Sequence, residues 1–276
     1  MTDKPDISGH YTSGALLERL RAALRADGAD PDRPTSEALA PYDQFHSRGI
    51  EATEELAALM PVGPTDHVLD IGSGIGGPAR YIAWRFGCRV TGIDLTAEFC
   101  DVARLLTSSL GLGGKVAFQQ GDALAMPFAG ATFDGAYSMN VAMNIQNKPG
   151  FYREIHRVLR PGAWLVLSEA AKGPGAPPQY PTPWAAAASS SFLSTPDETR
   201  AGLAAAGFDV LDLHDTLQKA LDYGAKSRAV VARGEKPPHR AVMLIHGAAA
   251  PVMAANTARA MHGGGLIPIE VLSRKR

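Results

Sequence analysis

The chain has 276 residues, enough for one large domain with a sizeable buried core. Its 27 Lys and Arg residues are balanced by 28 Asp and Glu residues, which argues against a nucleic-acid-binding protein, and the Arg-Lys-Arg end is interpreted as a solvated tail. The two cysteines, Cys88 and Cys100, have no metal-ligand spacing and predict no disulfide framework. The first ten residues lack the basic and apolar parts of a signal peptide, and no uncharged apolar run of membrane-spanning length stands out, so we expect a cytoplasmic protein without a membrane span.

Two amphipathic helices are predicted near the start of the chain. Residues 15–26 (ALLERLRAALRA) place leucines on one helical stripe and arginines on the other face. The stretch DGADPDRP then breaks this helix. Residues 50–60 (IEATEELAALM) form the second helix, which Pro61 and Pro64 end.

From Asp66 onwards, short apolar runs alternate with helical segments, which is typical of a parallel α/β sheet. Pro78 suits the first turn of the first of these helices, and Gly87 suits its C-terminal cap. The predicted order is strand 67–71, helix 78–86, strand 89–95, helix 96–112, strand 115–123, strand 132–140, helix 150–160 and strand 163–170.

The last hundred residues continue this pattern after an unusual run. Residues 172–195 are rich in Pro, Gly, Ala and Ser, but the aromatic residues Tyr180, Trp184 and Phe192 favour an ordered excursion over a disordered linker. A capped helix over 195–208, a strand over 209–215, helical material over 217–262 and a final strand over 265–275 complete the prediction. Pro268 in that final strand suits a sheet edge or a bulge.

A glycine-rich loop joins the first strand of this pattern to its helix. Glycines there allow a ligand to approach the backbone closely, and the free N–H groups at the helix start favour a polar or anionic ligand. Gly72, Gly74 and Gly77 satisfy the pattern GxGxxG, which alone would suggest a dinucleotide. The pattern is weak evidence because such turns serve several cofactors.

Acidic residues at the ends of three strands favour a different ligand. Asp70 ends the first strand, where a carboxylate suits an ammonium group and would repel a pyrophosphate. Asp94 ends the second strand and can accept hydrogen bonds from the two hydroxyls of a ribose. Asp122, in the sequence GDALAMPF, can accept from the amino group of an adenine while Ala123 and Met126 supply apolar walls.

Residues 66–170 resemble a class I S-adenosylmethionine-dependent methyltransferase of the small-molecule group that includes ubiquinone, sterol, tocopherol and small-amine methyltransferases. The motifs VLDIGSGIGG, VTGIDLT, GDALAMPF, FDGAYSMNVAMNI and VLRPGAWLVLSE match that family in order and spacing. The resemblance implies an α/β fold, a doubly wound seven-stranded mostly parallel sheet whose last strand is antiparallel, and S-adenosyl-L-methionine as cofactor. Its implied cofactor contacts are Asp70, Gly72, Gly74, Gly76, Asp94, Leu95, Asp122, Ala123 and Asn140.

The same resemblance implies that the acceptor binds beyond strands four and five. An N-terminal helical cap, residues 1–61, and an insertion after strand five, residues 172–195, would cover it, within a methyltransferase domain of residues 62–276 that also holds the helical insertion 217–262. The candidate catalytic residues are His46, Asn140 and Asn144, and the candidate substrate-binding residues are Tyr42, His46, Arg48, Met143 and Trp184. No metal is expected.

The chemistry of these side chains sets their candidate roles. His46 could act as a base or orient the acceptor, Asn140 and Asn144 could orient it without a charge, and Arg48 could clamp a carboxylate or phosphate. Structural roles remain open as alternatives: a surface or helix-capping position for His46, a solvated position for Arg48 and core positions for the methionines. Many quinone-type relatives carry a His followed by a Gly-aromatic pair, whereas this chain has FHSRGI, so their substrate class is not implied.

The predicted function is in-line transfer of a methyl group to N, O or C of a small, partly apolar metabolite. Two alternatives remain open: an NAD-dependent oxidoreductase, supported only by GxGxxG, and a non-catalytic module that binds S-adenosylmethionine. A small-molecule acceptor is the expected partner, with no nucleic acid, and the sequence is compatible with a homo-oligomer.

Overall fold

The computed structural model describes Tyr11 and residues 14–276, and its centre is a seven-stranded sheet. The spatial order of the strands is β3-β2-β1-β4-β5-β7-β6, and every neighbouring pair is parallel except the two made by β7, which is antiparallel to β5 and β6. This confirms the predicted sheet and its antiparallel last strand. The strands are β1 (His67–Ile71), β2 (Arg89–Asp94), β3 (Val116–Gln120), β4 (Phe133–Met139), β5 (Leu159–Lys172), β6 (Phe208–Asp215) and β7 (Leu266–Lys275).

Helices pack on both faces of the sheet, because its central strands are apolar on both sides. In β5, Leu165 and Leu167 belong to one apolar cluster, whereas Trp164 and Val166 belong to the cluster on the opposite face. The helices are α1 (Leu16–Ala26), α2 (Ser36–Asp43), α3 (Ile50–Leu59), α4 (Gly77–Phe86), α5 (Ala97–Ser109), α6 (Lys148–Val158), α7 (Pro196–Ala205), α8 (Leu217–Ala232), α9 (Ala241–His246) and α10 (Ala250–His262).

Local signals in the sequence fix where several helices begin and end. Pro78 lies in the first turn of α4, and Gly87 ends that helix in the left-handed conformation, with φ of 73°. Thr195 and Glu198 form a capping box at the start of α7, since each side chain accepts a hydrogen bond from the backbone N–H of the other residue.

Helix α2 was not predicted, because its Pro41 and polar residues hide the helical pattern. Its Thr35 cap accepts a hydrogen bond from the N–H of Ala38, and Leu39 is fully buried. Together with the leucines of α1, Leu39 packs on Ile75 and Phe99 beside the glycine-rich loop. The residues before α3 therefore cover the end of the sheet where β1 and β2 finish.

The helical segment 217–262 contacts this N-terminal region, although some two hundred residues separate them. Helix α9 packs against α1 and α2. The ring Nε2 of His239 lies 2.7 Å from the carbonyl oxygen of Gln44, and Arg240 pairs with Asp27 while its guanidinium lies over the Tyr42 ring. The segment thus holds the N-terminal helices in place.

The structure corrects the prediction that Pro268 lies at a sheet edge or a bulge. Strand β7 lies between β5 and β6, and Pro268 pairs with Ala170 of β5. Its carbonyl oxygen faces the other side and accepts from the N–H of Thr216, just beyond the last pair of β6. Since the nitrogen of a residue in a strand points to the same side as its carbonyl, the missing N–H interrupts no bond to β5.

A second correction concerns apolar length. One helical stretch in the described part of the chain, Ala241–His262, is long and apolar enough to cross a membrane by length and composition, which is weak evidence when only one such stretch is found. The turn Gly247–Ala249 divides it into α9 and α10, and Ala241 and Leu244 are buried.

Candidate functional site

A cavity of about 610 Å³ opens at the carboxyl ends of strands β1 to β4. This is the edge at which parallel α/β sheets bind ligands, since loops and helix N-termini converge there. The lining residues include Tyr11, Phe45, His46, Asp70, Gly72, Ser73, Gly74, Asp94, Leu95, Thr96, Phe99, Asp122, Ala123, Met139, Asn140, Val141, Asn144, Ile145 and Phe192.

The glycine-rich loop forms one wall of this cavity, and its glycines are required sterically. Gly72 has φ of 76°, and a Cβ atom built there would lie 2.2 Å from Cγ2 of Val141. Gly74 has φ of 52°, and its N–H donates to Oδ2 of Asp94 at 2.8 Å. The loop is therefore locked against β2 and against the residues that follow β4.

Asp70 is a buried carboxyl group with an unused acceptor. Its side chain is 2% exposed, and Oδ2 has no hydrogen-bond partner among the described residues. Burial raises the pKa of Asp70 to about 7, against the opposing effect of the nearby Tyr137 hydroxyl. The hydroxyl of Ser73, also a lining residue, is buried and unpartnered within the same described part. An unpaired buried acceptor is costly, so this wall suits a ligand that brings a hydrogen-bond donor or a positive charge.

Asp94 and Asp122 supply two further carboxylates at successive strand ends. Oδ1 of Asp94 accepts from the N–H of Thr96 at 2.9 Å, and burial raises the pKa of Asp94 despite this bond and the one from Gly74. Oδ1 of Asp122 accepts from the N–H of Leu124 at 2.8 Å. Each carboxylate is thus oriented by backbone N–H groups, as a site for hydroxyl or amino donors requires.

The far side of the cavity combines aromatic rings with amides. Tyr11 and Phe45 both pack against Phe99, with ring centroids 6.0 and 5.1 Å apart. Nδ2 of Asn144 donates to the hydroxyl of Tyr11 at 3.4 Å, whereas the buried Oδ1 of Asn144 has no partner in the described chain. Asn140 adopts φ of 57°, and its N–H donates to the carbonyl oxygen of Ser168.

His46 lines the cavity, and both of its ring nitrogens lie near polar groups of the protein. Its Nδ1 lies 3.1 Å from the carbonyl oxygen of Ser47, and its Nε2 lies 2.9 Å from the hydroxyl oxygen of Thr53. Burial lowers the pKa of His46 to about 3, so the ring stays neutral. A neutral ring has one N–H to donate, and both the Ser47 carbonyl and the Thr53 hydroxyl, which itself donates to Gln44, are acceptors for it. The role of His46 as a base or as an orienting group stays a prediction.

Three predicted substrate-binding or cofactor residues lie outside the cavity lining. Tyr42 donates to Asp27 at 2.7 Å, and Arg48 is buried in an ion pair with Glu55 at 2.9 Å. Both polar groups bind other side chains of the protein, and neither residue lines the cavity. Gly76 turns the chain at the start of α4, where a Cβ atom would lie 2.3 Å from the Phe118 ring.

Two more predicted substrate-binding residues lie outside the cavity lining, one of them in residues 172–195, the insertion that is called the lid from here on. Trp184 and Met143 belong to an apolar cluster with Ala260 and Leu266, apart from the cavity lining. The indole N–H of Trp184 donates to the Ser191 hydroxyl at 2.9 Å. The lid residue that lines the cavity is Phe192.

Several lining residues are not marked by any sequence motif. Tyr11, Phe45 and Phe99 carry no motif and come together only through the packing of α1, α2 and α5. Ser73 and Thr96 lie inside the motifs VLDIGSGIGG and VTGIDLT, and their positions next to Gly72 and near Asp94 are the sequence signal that could have identified them. No group of three or more His, Cys, Asp or Glu side chains that could hold a metal occurs in the described residues.

Known proteins are similar to this chain over the part that includes strands β1 to β5. Residues 69–167 match the family described as "Methyltransferase domain". An O-methyltransferase of Pyrenophora dematioidea is 32% identical over 190 residues, which cover 68% of each chain. The chain belongs to the methyltransferase family. This confirms the resemblance predicted from residues 66–170.

Other relatives match the methyltransferase over a shorter part. A phosphoethanolamine N-methyltransferase of Triticum aestivum is 35% identical over 129 residues, 47% of this chain and 25% of the relative. A sterol 24-C-methyltransferase of Eremothecium gossypii is 40% identical over 104 residues, 38% of this chain and 28% of the relative. The chain therefore spans about a quarter of the length of these relatives.

Solved structures share the whole fold of the methyltransferase at low sequence identity. A geranyl diphosphate C-methyltransferase from Streptomyces coelicolor A3(2) superposes with a TM-score of 0.72 at 18% identity, covering 100% of this chain and 99% of that one. The cyclase SpnF superposes with a TM-score of 0.68 at 22% identity and 95% coverage of both chains. These likenesses extend the shared fold to the N-terminal helices and the lid.

Proposed function

We propose that this methyltransferase transfers the methyl group of S-adenosylmethionine to N, O or C of a small, partly apolar metabolite. The observation that carries the proposal is the buried carboxyl group of Asp70, which has an unpartnered oxygen in a cavity that also holds the strand-end carboxylates Asp94 and Asp122. No single carboxylate identifies the cofactor. Three of them, beside a locked glycine-rich loop, match its amino-acid, ribose and adenine parts in turn.

These three carboxylate acceptors fit S-adenosylmethionine better than a dinucleotide. Asp70 would hold the ammonium group of its amino-acid part, Asp94 the ribose hydroxyls, and Asp122 the adenine amino group. A pyrophosphate in the same place would meet buried carboxylates of its own sign, and like charges repel strongly away from water. The order of these acids along the chain is also that of the family motifs.

For this reaction the protein mainly has to position the acceptor and exclude water. When bound, S-adenosylmethionine supplies a methyl carbon made electrophilic by its sulfonium. The rings of Tyr11, Phe45, Phe99 and Phe192 would exclude water from the space beside it. Aligning the acceptor in line with the breaking bond would supply most of the rate enhancement.

Asn144 is the residue best placed to orient the acceptor. Its Nδ2 is engaged by Tyr11, so its buried Oδ1 is left to accept a hydrogen bond from an O–H or N–H group of the substrate. A neutral amide imposes no charge on that group. Because burial lowers the pKa of His46 to about 3, the ring is a weak base, and we propose that acceptors which react without a strong base are preferred.

The names of the relatives indicate the class of acceptor. Those relatives are named for phosphoethanolamine, sterols and geranyl diphosphate, and all of these are small molecules. We propose a small acceptor here too, with an apolar body that suits the aromatic wall. A second candidate function, one without methyl transfer, is favoured by one observation: a structure with the same fold over 95% of this chain is named as a [4+2]-cyclase.

The test is isothermal titration of the purified protein with S-adenosylhomocysteine, beside NADH. We expect micromolar binding of S-adenosylhomocysteine and none of NADH, and binding of NADH alone would replace the proposal with an oxidoreductase. Methyl transfer from labelled S-adenosylmethionine to a panel of small acceptors separates the enzyme from the non-catalytic module.

The variant Asp94→Ala checks the ribose assignment. We expect it to weaken S-adenosylhomocysteine binding by about 1.5–3 kcal/mol, the contribution typical of hydrogen bonds to a charged group. Asp101→Ala, which removes an exposed carboxylate from the following helix, is the matched control. Equal affinities for the two variants would contradict the assignment.

A further inference from the structure

Phe192 is the lid residue that reaches the cavity, and its backbone is held at both polar atoms. Its N–H donates to the carbonyl oxygen of Met143 at 2.8 Å, and its own carbonyl oxygen accepts from Nζ of Lys148 at 2.5 Å. Met143 and Lys148 both belong to the stretch that runs from the end of β4 into α6. The lid is thus fastened to that stretch at the residue whose ring lines the cavity.

Lys148 makes a second bond that joins the two sides of this wall. The same Nζ donates to the carbonyl oxygen of Ile145 at 2.6 Å, and Ile145 also lines the cavity. One ammonium group therefore bridges the lid, through Phe192, and the loop after β4, through Ile145. Glu169 supports that loop from β5, since its carboxylate accepts from the N–H of Ala142 at 3.0 Å.

Neither helix formation nor solvation explains a lysine at this position. Lys148 is the first residue of α6, where a positive charge opposes the helix dipole. Burial lowers the pKa of Lys148 to about 8, while the carboxylates of Glu169 on β5 and Glu198 on α7, which face it, oppose that shift. The favourable interactions of the ammonium group are therefore its two hydrogen bonds to carbonyl oxygens and the attraction of these two carboxylates.

We propose that Lys148 is a positioning residue of this methyltransferase, which fixes the ring of Phe192 as the lid-side wall of the cavity by bridging the carbonyls of Ile145 and Phe192. Its importance for catalysis rests on the proposed function, because that wall bounds the space for cofactor and acceptor. The bridge itself is a property of the fold and can be measured without any ligand.

Hydrogen exchange of the ligand-free protein tests the bridge. We expect Lys148→Met to speed exchange in the peptide that contains Phe192 at least about tenfold, with β4 unchanged, because one of the two bonds that hold the backbone of Phe192 is lost. Lys148→Arg, which can still donate to both carbonyls, should keep most of the protection. Lys226→Met, on the exposed face of α8, is the matched control and should behave as the wild type.

A structural role in α6 alone predicts the opposite result. Removing a cation from the first turn favours the helix, so faster exchange at Phe192 cannot come from a weaker α6. Unchanged protection at Phe192 in Lys148→Met would overturn the proposal. If that variant does not fold, Lys148→Gln, whose shorter amide cannot span both carbonyls, decides in the same way.

Release of S-adenosylhomocysteine, followed by stopped flow, tests the link to the reaction. We expect Lys148→Met to release it severalfold faster and Lys148→Arg to restore the wild-type rate, since Phe192 lines the same cavity as Asp70 and Asp94. An unchanged rate with faster exchange would overturn the positioning role. Absence of binding in the wild type would overturn the proposed function instead, and the exchange experiment would still decide whether the bridge exists.

Discussion

Asp70 shows at the scale of one residue how a binding site opposes stability. The folded protein buries this carboxyl group without a partner for Oδ2 in the described chain, and its pKa rises to about 7. An acid whose pKa is higher in the folded state than in the unfolded state binds more protons when folded. Stability is therefore lost as the pH rises from about 4 to about 7, the window between the two pKa values.

The variant Asp70→Asn should consequently stabilise the ligand-free protein above pH 7. At 1.36 kcal/mol per pKa unit, the gain is at most about 4 kcal/mol, and it should vanish below about pH 4, where both states are protonated. The same change should weaken S-adenosylhomocysteine binding, because the charge that faces its ammonium group is gone. Denaturant unfolding at about pH 4 and pH 8 measures the first effect and calorimetry the second, with Asp101→Asn as control. A variant less stable than the wild type in the alkaline buffer would contradict the argument.

Individual residues were predictable where a motif fixed their neighbours. Asp70, Asp94 and Asn144 reach the cavity because strand ends in a parallel sheet share one edge. Tyr42 and Arg48 do not reach the cavity, because their polar groups bind residues from other parts of the chain. Tyr42 binds Asp27, and Arg48 pairs with Glu270. No spacing rule contains that information.

At the scale of elements, the β1–α4 loop depends on both backbone conformation and space. Gly72 and Gly162 have the same φ of 76°, but they differ in surroundings. A Cβ atom at Gly72 would lie 2.2 Å from Val141, whereas nothing lies within 4 Å of one at Gly162. Substitutions at these two glycines therefore distinguish the strain of a left-handed backbone from the cost of a steric clash.

Gly162→Ala should destabilise the protein by about 1 kcal/mol, the strain of a non-glycine residue in this region. Gly72→Ala should cost roughly 1–3 kcal/mol more, because Val141 must move, and it should also weaken S-adenosylhomocysteine binding. Chemical denaturation gives both free energies, and the effect of alanine on the unfolded chain is nearly the same in the two variants. Equal losses would show that Val141 does not confine the loop.

The elements with strong periodicity were predictable, and those set by distant partners were not. Strands β1 to β4 were predicted within a few residues of their observed bounds, because their short apolar runs are separated by turn residues and helical segments. Strand β5 runs on to Lys172 because β7 pairs with it to that point. Helix α2 needed the contacts of Leu39 with α1 and the loop to outweigh Pro41.

At the scale of the whole molecule, the cavity is closed by parts of the chain that meet only in the fold. The N-terminal region supplies Phe45 and His46, the lid supplies Phe192, and segment 217–262 braces the N-terminal helices through His239 and Arg240. These parts must be held against the sheet for the cavity to exist. One buried ion pair makes the most direct connection.

Asp43 of α2 and Arg80 of α4 form that pair, at 2.8 Å, with both side chains at most 6% exposed. Arg80 also donates to the carbonyl oxygen of Ile75 at 2.8 Å, and Gln44 donates to Asp43 at 2.8 Å. The pair therefore ties the residues just before Phe45 to the helix that follows the glycine-rich loop. A buried pair contributes little net stability over an apolar substitute, but breaking it leaves one charge without a counter-ion.

Arg80→Met should thus destabilise the protein by about 3–5 kcal/mol, since Asp43 would stay buried and unpaired. Arg233→Met, which breaks the exposed pair with Glu235, should change stability by no more than about 0.5 kcal/mol. Adding Asp43→Asn to Arg80→Met should recover part of the lost free energy of unfolding, because the uncompensated charge is removed. Only that recovery distinguishes the loss of a counter-ion from the loss of packing by the arginine stem. Denaturation of the three variants checks the free energies. Calorimetry with S-adenosylhomocysteine then checks the consequence for the site. If the ion pair holds the N-terminal helices over the cavity, the affinity of the folded Arg80→Met protein falls as well. Wild-type affinity would mean that the remaining contacts of α1 and α9 suffice to keep Phe45 and His46 in place.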